Sequence, residues 1–365
     1  MKLRLLSFGL ALVAPVLAQN LTLPAASPRG GVFQTVGITK ISVEYGRPAV
    51  NKREVCGKLV PYGQVDLGFG TTQQAPWRAG ADINTVVTFQ HDVRVAGQPL
   101  AAGAYGLHMI LAADGGVTVI FSHDHEAWGS FFYEPAHDAL RVTSKLEDNA
   151  VFHELLTYEF SDITKNGAVL SLLWEKKRIA IPVAVDTDAV VVASLKRELS
   201  GASGFDDRAL AAASGYLIQN NLDLNLALEW AERSVNPRTG QASFAGLSQK
   251  AVVLEKLGRT AEAAAVMDQA LPLGTALTIH QYGRRLLSAK QAERALEVFK
   301  YNAQRFPDVW PVNYGLARGY SAVGNYPAAL EALLKAQKQV PAGDTTNAAA
   351  IATNIEKLKR GENIN

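Results

Sequence analysis

Two hydrophobic periods follow one another along the chain. From about residue 32 to 186 the pattern has period two. Ile41, Val43 and Tyr45 alternate with Ser42 and Glu44, and Phe152, Glu154, Leu156, Tyr158 and Phe160 alternate with His153, Leu155, Thr157 and Glu159. Successive side chains of a strand point to opposite faces, so this alternation predicts β-structure. Further strands are expected at 86–95, 104–110, 117–121, 140–143, 169–174 and 179–185. The turn Ala112-Ala113-Asp114-Gly115-Gly116 joins 104–110 to 116–121 as a hairpin, and Lys165-Asn166-Gly167 reverses the chain in the same way. Eight or nine short strands with no strong helix between them predict an antiparallel, sandwich-like or barrel-like β domain over 27–185.

The period changes after a joint at 186–205. Paired amphipathic helices are expected within 206–235, then at 244–257 and 261–271, at 276–288 and 292–305, and at 312–323 and 327–339. A last amphipathic helix within 345–360 caps the open end. Pro237, Pro272, Pro307 and Pro341 each fall at or just after the second helix of a pair, where a proline stops the helix. Ala227, Ala263, Ala295 and Ala329 recur at spacings of 36, 32 and 34 residues. A period near ~34 is that of a helix–turn–helix unit which must stack on its neighbours to bury its apolar face. The fold class predicted is therefore α+β multidomain: an antiparallel β domain followed by an α-solenoid.

The helical half resembles the tetratricopeptide repeat over 206–341. Gly283, Ala295, Phe299 and Pro307 hold the signature places of the third unit, and Ala317, Tyr320, Gly324, Tyr326, Ala329, Ala336 and Pro341 those of the fourth. The second unit matches through Ala251, Gly258, Ala263 and Ala270, and the first keeps only Gly215, Ala227 and Pro237. The β half resembles a bacterial domain-of-unknown-function family numbered 2911. The resemblance rests on Tyr45-Gly46-Arg47-Pro48, the run Gly57-Lys58-Leu59-Val60-Pro61-Tyr62-Gly63, Trp77-Arg78-Ala79-Gly80-Ala81, Trp128-Gly129 and Asp138-Ala139-Leu140-Arg141. It departs from the family pattern at Cys56, at Asp82 and through an insertion at 64–76. The resemblance implies an exported β domain, often followed by such repeats, and no reaction.

The N-terminus agrees with export. Lys2 and Arg4 precede an apolar run at 5–13, and Val16-Leu17-Ala18 forms a small-residue cleavage box, so 1–18 reads as a signal peptide and the product is expected in the periplasm or the medium. The apolar run is too short to span a bilayer, and no later segment does better. The formal net charge of +2 gives no argument for nucleic acid. Cys56 is the only cysteine and reads as a small buried hydrophobe, so the fold rests on its core rather than on an internal disulfide.

Three groups of residues carry candidate chemistry. His123 and His125, two apart, are candidate metal ligands, with Glu126 or His137 as a third. If residues 110 and 117 pair across the hairpin, His123 lies roughly 13 Å from His108 at about 3.3 Å per residue, too far for one ion. Arg47, Arg78 and Arg141, with Tyr62 and Trp77, either brace loops against Glu44, Asp82 and Glu154 or offer aromatic faces and planar donors to a glycan or carboxylate. On the first helices of the repeats, Gln281, Arg284, Arg285, Asn313 and Arg318, with Gln249 and Lys250, are the polar candidates for a groove that binds a protein or peptide. The leading functional expectation is a non-enzymatic exported scaffold that needs no cofactor. A metal-assisted hydrolase or a glycan-binding module in the β domain is the alternative. No nucleophile elbow, phosphate loop or His-Glu-x-x-His motif occurs in the chain.

Overall fold

The computed structural model describes residues 24–365; the expected signal peptide lies outside them. The chain divides into two compact units, one running through Val192 and the other spanning Ala193–Asn365.

In the first unit, nine strands among the described residues form one antiparallel sheet. They are β1 (Arg29–Val36), β2 (Thr39–Gly46), β3 (Val86–Phe89), β4 (Val93–Val95), β5 (Gln98–Leu100), β6 (Gly103–Leu111), β7 (Gly116–Ser122), β8 (Asp138–Thr164) and β9 (Gly167–Ala184), in the order β1-β2-β3-β6-β7-β8-β9-β4-β5. The sheet curls back on itself. Beyond the end of β2, the Val50 amide donates to Glu154 O at 2.8 Å, and Leu156 N of β8 donates to Pro48 O at 3.0 Å. The inner face is apolar: Ile41, Val43, Leu107, Met109, Val119 and Leu170 are all fully buried, with Tyr45 edge-on to Tyr158 at 4.7 Å. At ~25 cal/mol per Å², burial of such large side chains supplies the main force holding the sheet closed.

Several strand limits differ from those expected. The stretch 86–95 is two strands, because Gln90–Asp92 turn between them. The segments 140–143 and 152–160 belong to one long strand, β8, as 169–174 and 179–185 belong to β9. Register shifts between Asp148 and Thr157 interrupt the alternation without ending the pairing, which disguised the strands' length. The β6–β7 hairpin also slips by one residue. Ile110 faces Thr118 and His108 faces Ile120, because Gly115 at φ +88° lets residues 113–115 form a three-residue loop. A slip of one moves a side chain to the other face. The slipped register therefore carries His123 to the face of Tyr105, whose ring lies 5.6 Å from its own, and away from the face of His108.

The helix α1 (Thr187–Glu198) contains the boundary between the units. The second unit then comprises α2 (Asp207–Gln219), α3 (Leu224–Val235), α4 (Phe244–Lys256), α5 (Thr260–Ala270), α6 (Ala276–Ser288), α7 (Ala292–Arg305), α8 (Trp310–Ala322), α9 (Tyr326–Gln339) and α10 (Thr345–Lys359). Asp206, Asp223, Ser243, Thr275, Asn325 and Asp344 cap their helices by accepting backbone N–H groups, and Thr275 forms a reciprocal box with Thr278. The helices pair as antiparallel hairpins in a tetratricopeptide-like arrangement. All four periodic alanines are buried, as close helix crossings require, and α10 closes the array against α9.

Phe299 of α7 shows how tightly the hairpins interlock. Its ring fills a slot walled by glycines. A Cβ on Gly283 would stand 2.5 Å from the ring, one on Gly315 2.8 Å and one on Gly319 2.9 Å. The ring can lie between the backbones of α6 and α8 only because these three positions lack side chains.

Candidate functional site

The first helices of the hairpins form one row. Along it α2 lies against α4 and α6 against α8. Between α4 and α6 lies an open hollow of about 300 Å³. Its α6 wall is Thr278, Gln281, Tyr282 and Arg285, at i, i+3, i+4 and i+7, hence one helical face. The opposite wall is Phe244, Ala245 and Ser248 from the start of α4.

The hollow is chemically mixed. Phe244 and Tyr282 supply apolar surface. The Arg285 guanidinium lies 5.2 Å over the Tyr282 ring and 3.7 Å from Glu255, an exposed pair that orients the arginine but adds little stability. Burial raises the Tyr282 hydroxyl above its ordinary range, so it remains protonated. The Ser248 hydroxyl is buried and has no hydrogen-bond partner among the described residues. These groups can accept an extended chain: rings for a side chain, a cation for a carboxylate, and a hydroxyl and an amide for backbone groups.

The structure thus brings Gln281 and Arg285 together and leaves the other expected groove residues elsewhere. Arg284 is exposed outside the hollow. Asn313 is buried, and its amide donates to Pro307 O at 2.8 Å and to Gln339 Oε1 at 2.7 Å, so it braces the fourth hairpin instead of facing a partner. Arg318 stacks over Tyr314 at 4.8 Å and lies against the C-terminal segment, where Ile364 is buried and Asn365 donates to Arg318 O. Lys250 pairs with Glu232 at 3.2 Å, and Gln249 lies toward Gly215 of α2. Sequence reasoning overlooked Phe244, Ser248, Thr278 and Tyr282. The available signal was the i, i+3, i+4, i+7 row on α6, which reads equally well as core.

In the β unit, the arginines find carbonyls more often than the expected carboxylates. Arg47 donates through Nε to Leu156 O at 3.1 Å and through Nη2 to Thr157 Oγ1 at 2.9 Å, tying the end of β2 to β8. Arg53 donates to Val50 O and Ala49 O. Arg141 meets Asp138 at 2.5 Å and the Tyr133 hydroxyl at 2.7 Å; burial, then the hydrogen bond that this hydroxyl donates to Asp138, pushes the Tyr133 hydroxyl up to about 12 against the lowering effect of Arg141. Tyr62 is exposed, its ring against Gly57.

Trp77 and Arg78 do come together, on a second and more enclosed pocket of about 200 Å³. Its other walls come from residues 59–67, from Ala75 and Pro76, and from Ser130, so the segments around Pro61, Trp77 and Gly129 converge there. Ser130 Oγ lies 2.9 Å from Nδ1 of His108, which is buried; burial and the nearby Arg78 cation lower that imidazole to about 4, so it is neutral at pH 7. This Ser130–His108 pair left no sequence signal, because the two residues lie 22 apart on different elements.

His123 and His125 line a shallow, exposed hollow with Asp124, Glu126 and Phe132. His125 Nδ1 lies 3.1 Å from His123 O, and His137 Nδ1 lies 2.7 Å from Asp124 Oδ2, which raises the His137 imidazole above its usual value. Among the described residues no three His, Cys, Asp or Glu side chains are arranged to hold a metal ion. Cys56 is half-buried against the core, and burial, then the Glu175 carboxylate, raise its thiol.

No helix among the described residues is long and apolar enough to cross a membrane. No curated protein sequence matches the chain. Solved structures similar to it include a MamA fragment from Desulfovibrio magneticus RS-1 (21% identity, 44% of this chain and 97% of that one, TM-score 0.28). Two others are YrrB, described as a tetratricopeptide protein with an unusual peptide-binding site (20% identity, 45% and 83%, TM-score 0.31), and the C-terminal part of a repeat protein from Cytophaga hutchinsonii (14%, 47% and 66%, TM-score 0.36). Residues 27–183 match the model of the family described as protein of unknown function, DUF2911, and the tetratricopeptide-like helical array follows this matched region.

Proposed function

We propose that this protein is an exported binding scaffold whose helical array holds an extended segment of a partner protein in the hollow between α4 and α6. The observation that carries this reading is the facing of Thr278, Gln281, Tyr282 and Arg285 by Phe244 and Ser248 across an open hollow of about 300 Å³. The surface is mixed and concave, as suits a chain bearing one apolar and one acidic side chain. A tetratricopeptide-like fold suggests a protein-binding role in general. The leader at 1–18 supports export to the periplasm or the medium.

The test is site-specific photocrosslinking in intact cells, with a photoreactive residue in place of Gln281 and, as control, in place of the exposed Arg284. The expected result is a discrete adduct from position 281, absent from 284 and lost when Arg285→Glu is added. Fractionation of the same cells should place the adduct outside the cytoplasm. Equal adducts from both positions, or an adduct indifferent to Arg285→Glu, would remove the hollow as the binding surface.

A further inference from the structure

The pocket beside Arg78 has the features of a built anion site. Its walls are mainly apolar, from Val65, Leu67, Pro76 and Trp77, and two polar side chains enter it, Arg78 and Ser130. The guanidinium is held in place on several sides. It donates to Asp82 O and lies 4.9 Å over the Phe131 ring. It also passes so close to Gly129, at φ +68°, that a Cβ there would stand 2.4 Å from Cζ. Arg141 has Asp138 for a counter-ion, whereas Arg78 has no carboxylate within 4 Å among the described residues. Asp82 acts on it only from beyond ion-pair contact, so the burial of this cation is incompletely offset, and a ligand carboxylate would offset it by pairing with the planar fork. Burial lowers the Arg78 guanidinium from its ordinary value, and the nearby Asp82 carboxylate works against that shift.

The other polar group fits the same ligand. With Nδ1 protonated, neutral His108 donates to Ser130 Oγ, and the serine O–H is left free to donate into the pocket. A volume of about 200 Å³ lies below the ~300 Å³ at which drug-sized pockets begin, so the occupant is small.

We propose that this pocket binds a small monocarboxylate with a short apolar tail, the carboxylate on Arg78 and Ser130 and the tail against Val65, Leu67 and Pro76. The site is independent of the helical hollow and of what binds there.

The experiment is ligand-observed NMR and titration calorimetry on the full mature chain with hexanoate, and with hexanol as the neutral probe of equal tail. Hexanoate is expected to bind and hexanol to bind about tenfold more weakly or not at all. Arg78→Gln should abolish hexanoate binding, and Arg78→Lys, which keeps the charge but not the fork, should weaken it by about tenfold. Leu67→Trp fills the pocket from a loop outside the sheet. It should also abolish binding while leaving thermal unfolding unchanged, which separates loss of the site from loss of the fold. The proposal is overturned if hexanoate at millimolar concentration gives no signal, if hexanol binds equally well, or if Leu67→Trp binds as the parent does.

Discussion

Replacing Gly315 by alanine sets two physical effects against each other, and the structure decides the sign. Gly315 lies inside α8, where helix propensity alone favours alanine by about 1 kcal/mol. The added Cβ would lie 2.6 Å from His280 Nδ1 and 2.8 Å from two carbons of Phe299. Ordinary carbon contacts sit at about 3.5–4.0 Å, so both rings must retreat by nearly an ångström. Neither has room. Phe299 is fully buried and is also bounded by Gly283 and Gly319, and His280 is buried with its ring 5.7 Å from that of Phe299. Overpacking of this kind costs about 1–3 kcal/mol, and two confined rings place Gly315→Ala near the upper end. After the propensity gain, about 2 kcal/mol of net destabilisation remains. Urea unfolding followed by helix circular dichroism measures the total, and hydrogen exchange localises it. Because stability in a repeat array is a nearest-neighbour sum, the loss should fall on α6, α7 and α8 and spare α2 and α3. Phe299→Leu should destabilise the parent yet partly rescue Gly315→Ala, with a coupling of about 1 kcal/mol or more. A stabilised Gly315→Ala protein, or strict additivity with Phe299→Leu, would refute the slot as described.

Other outcomes follow from the same geometry. His108 in the folded chain titrates at about 4, against an ordinary 6.5, so the unfolded chain takes up a proton that the folded site refuses. The stability of the β unit is therefore complete above pH 6.5 and falls as pH drops toward 4, by on the order of 3 kcal/mol. Urea midpoints across that range should flatten in His108→Gln; an equal slope in both proteins would remove His108 as the cause. Arg47→Met removes two charge-assisted hydrogen bonds from a half-buried brace and should cost about 2 kcal/mol, or roughly 4–8 °C in Tm, and Arg47→Lys should recover only part of it. Cys56, with its thiol raised by burial and by Glu175, should alkylate with iodoacetamide at pH 7.5 much more slowly than a free thiol; labelling as fast as glutathione would contradict its packing.

What could be read from the chain depended on how local the physics is. Helix periods are set by residues three and four apart, so α6 and α7 run within the very limits the pattern marked, and the buried Ala227, Ala263, Ala295 and Ala329 were visible as a repeat. Period-two alternation revealed the β domain for the same reason. It failed at β8 and β9, where register shifts break the alternation while the partner strand continues the pairing.

The sites were less legible, because a functional surface joins residues that the sequence separates. Gln281 and Arg285 were visible as polar residues on one helix. Their meeting with Phe244 and Ser248 depends on how α4 and α6 part. Asn313 reads identically to them in sequence, yet packing turned its amide inward onto Pro307 and Gln339. The one-residue slip in the β6–β7 loop left His108 and His123 on opposite faces of the sheet, and residues 22 apart became the Ser130–His108 pair beside Arg78. By itself the sequence determined the two periods, the order of the units and the small residues that let helices cross. Register, burial and the pairing of distant polar groups were decided only in the tertiary structure, because each is a property of two segments and neither segment encodes it alone.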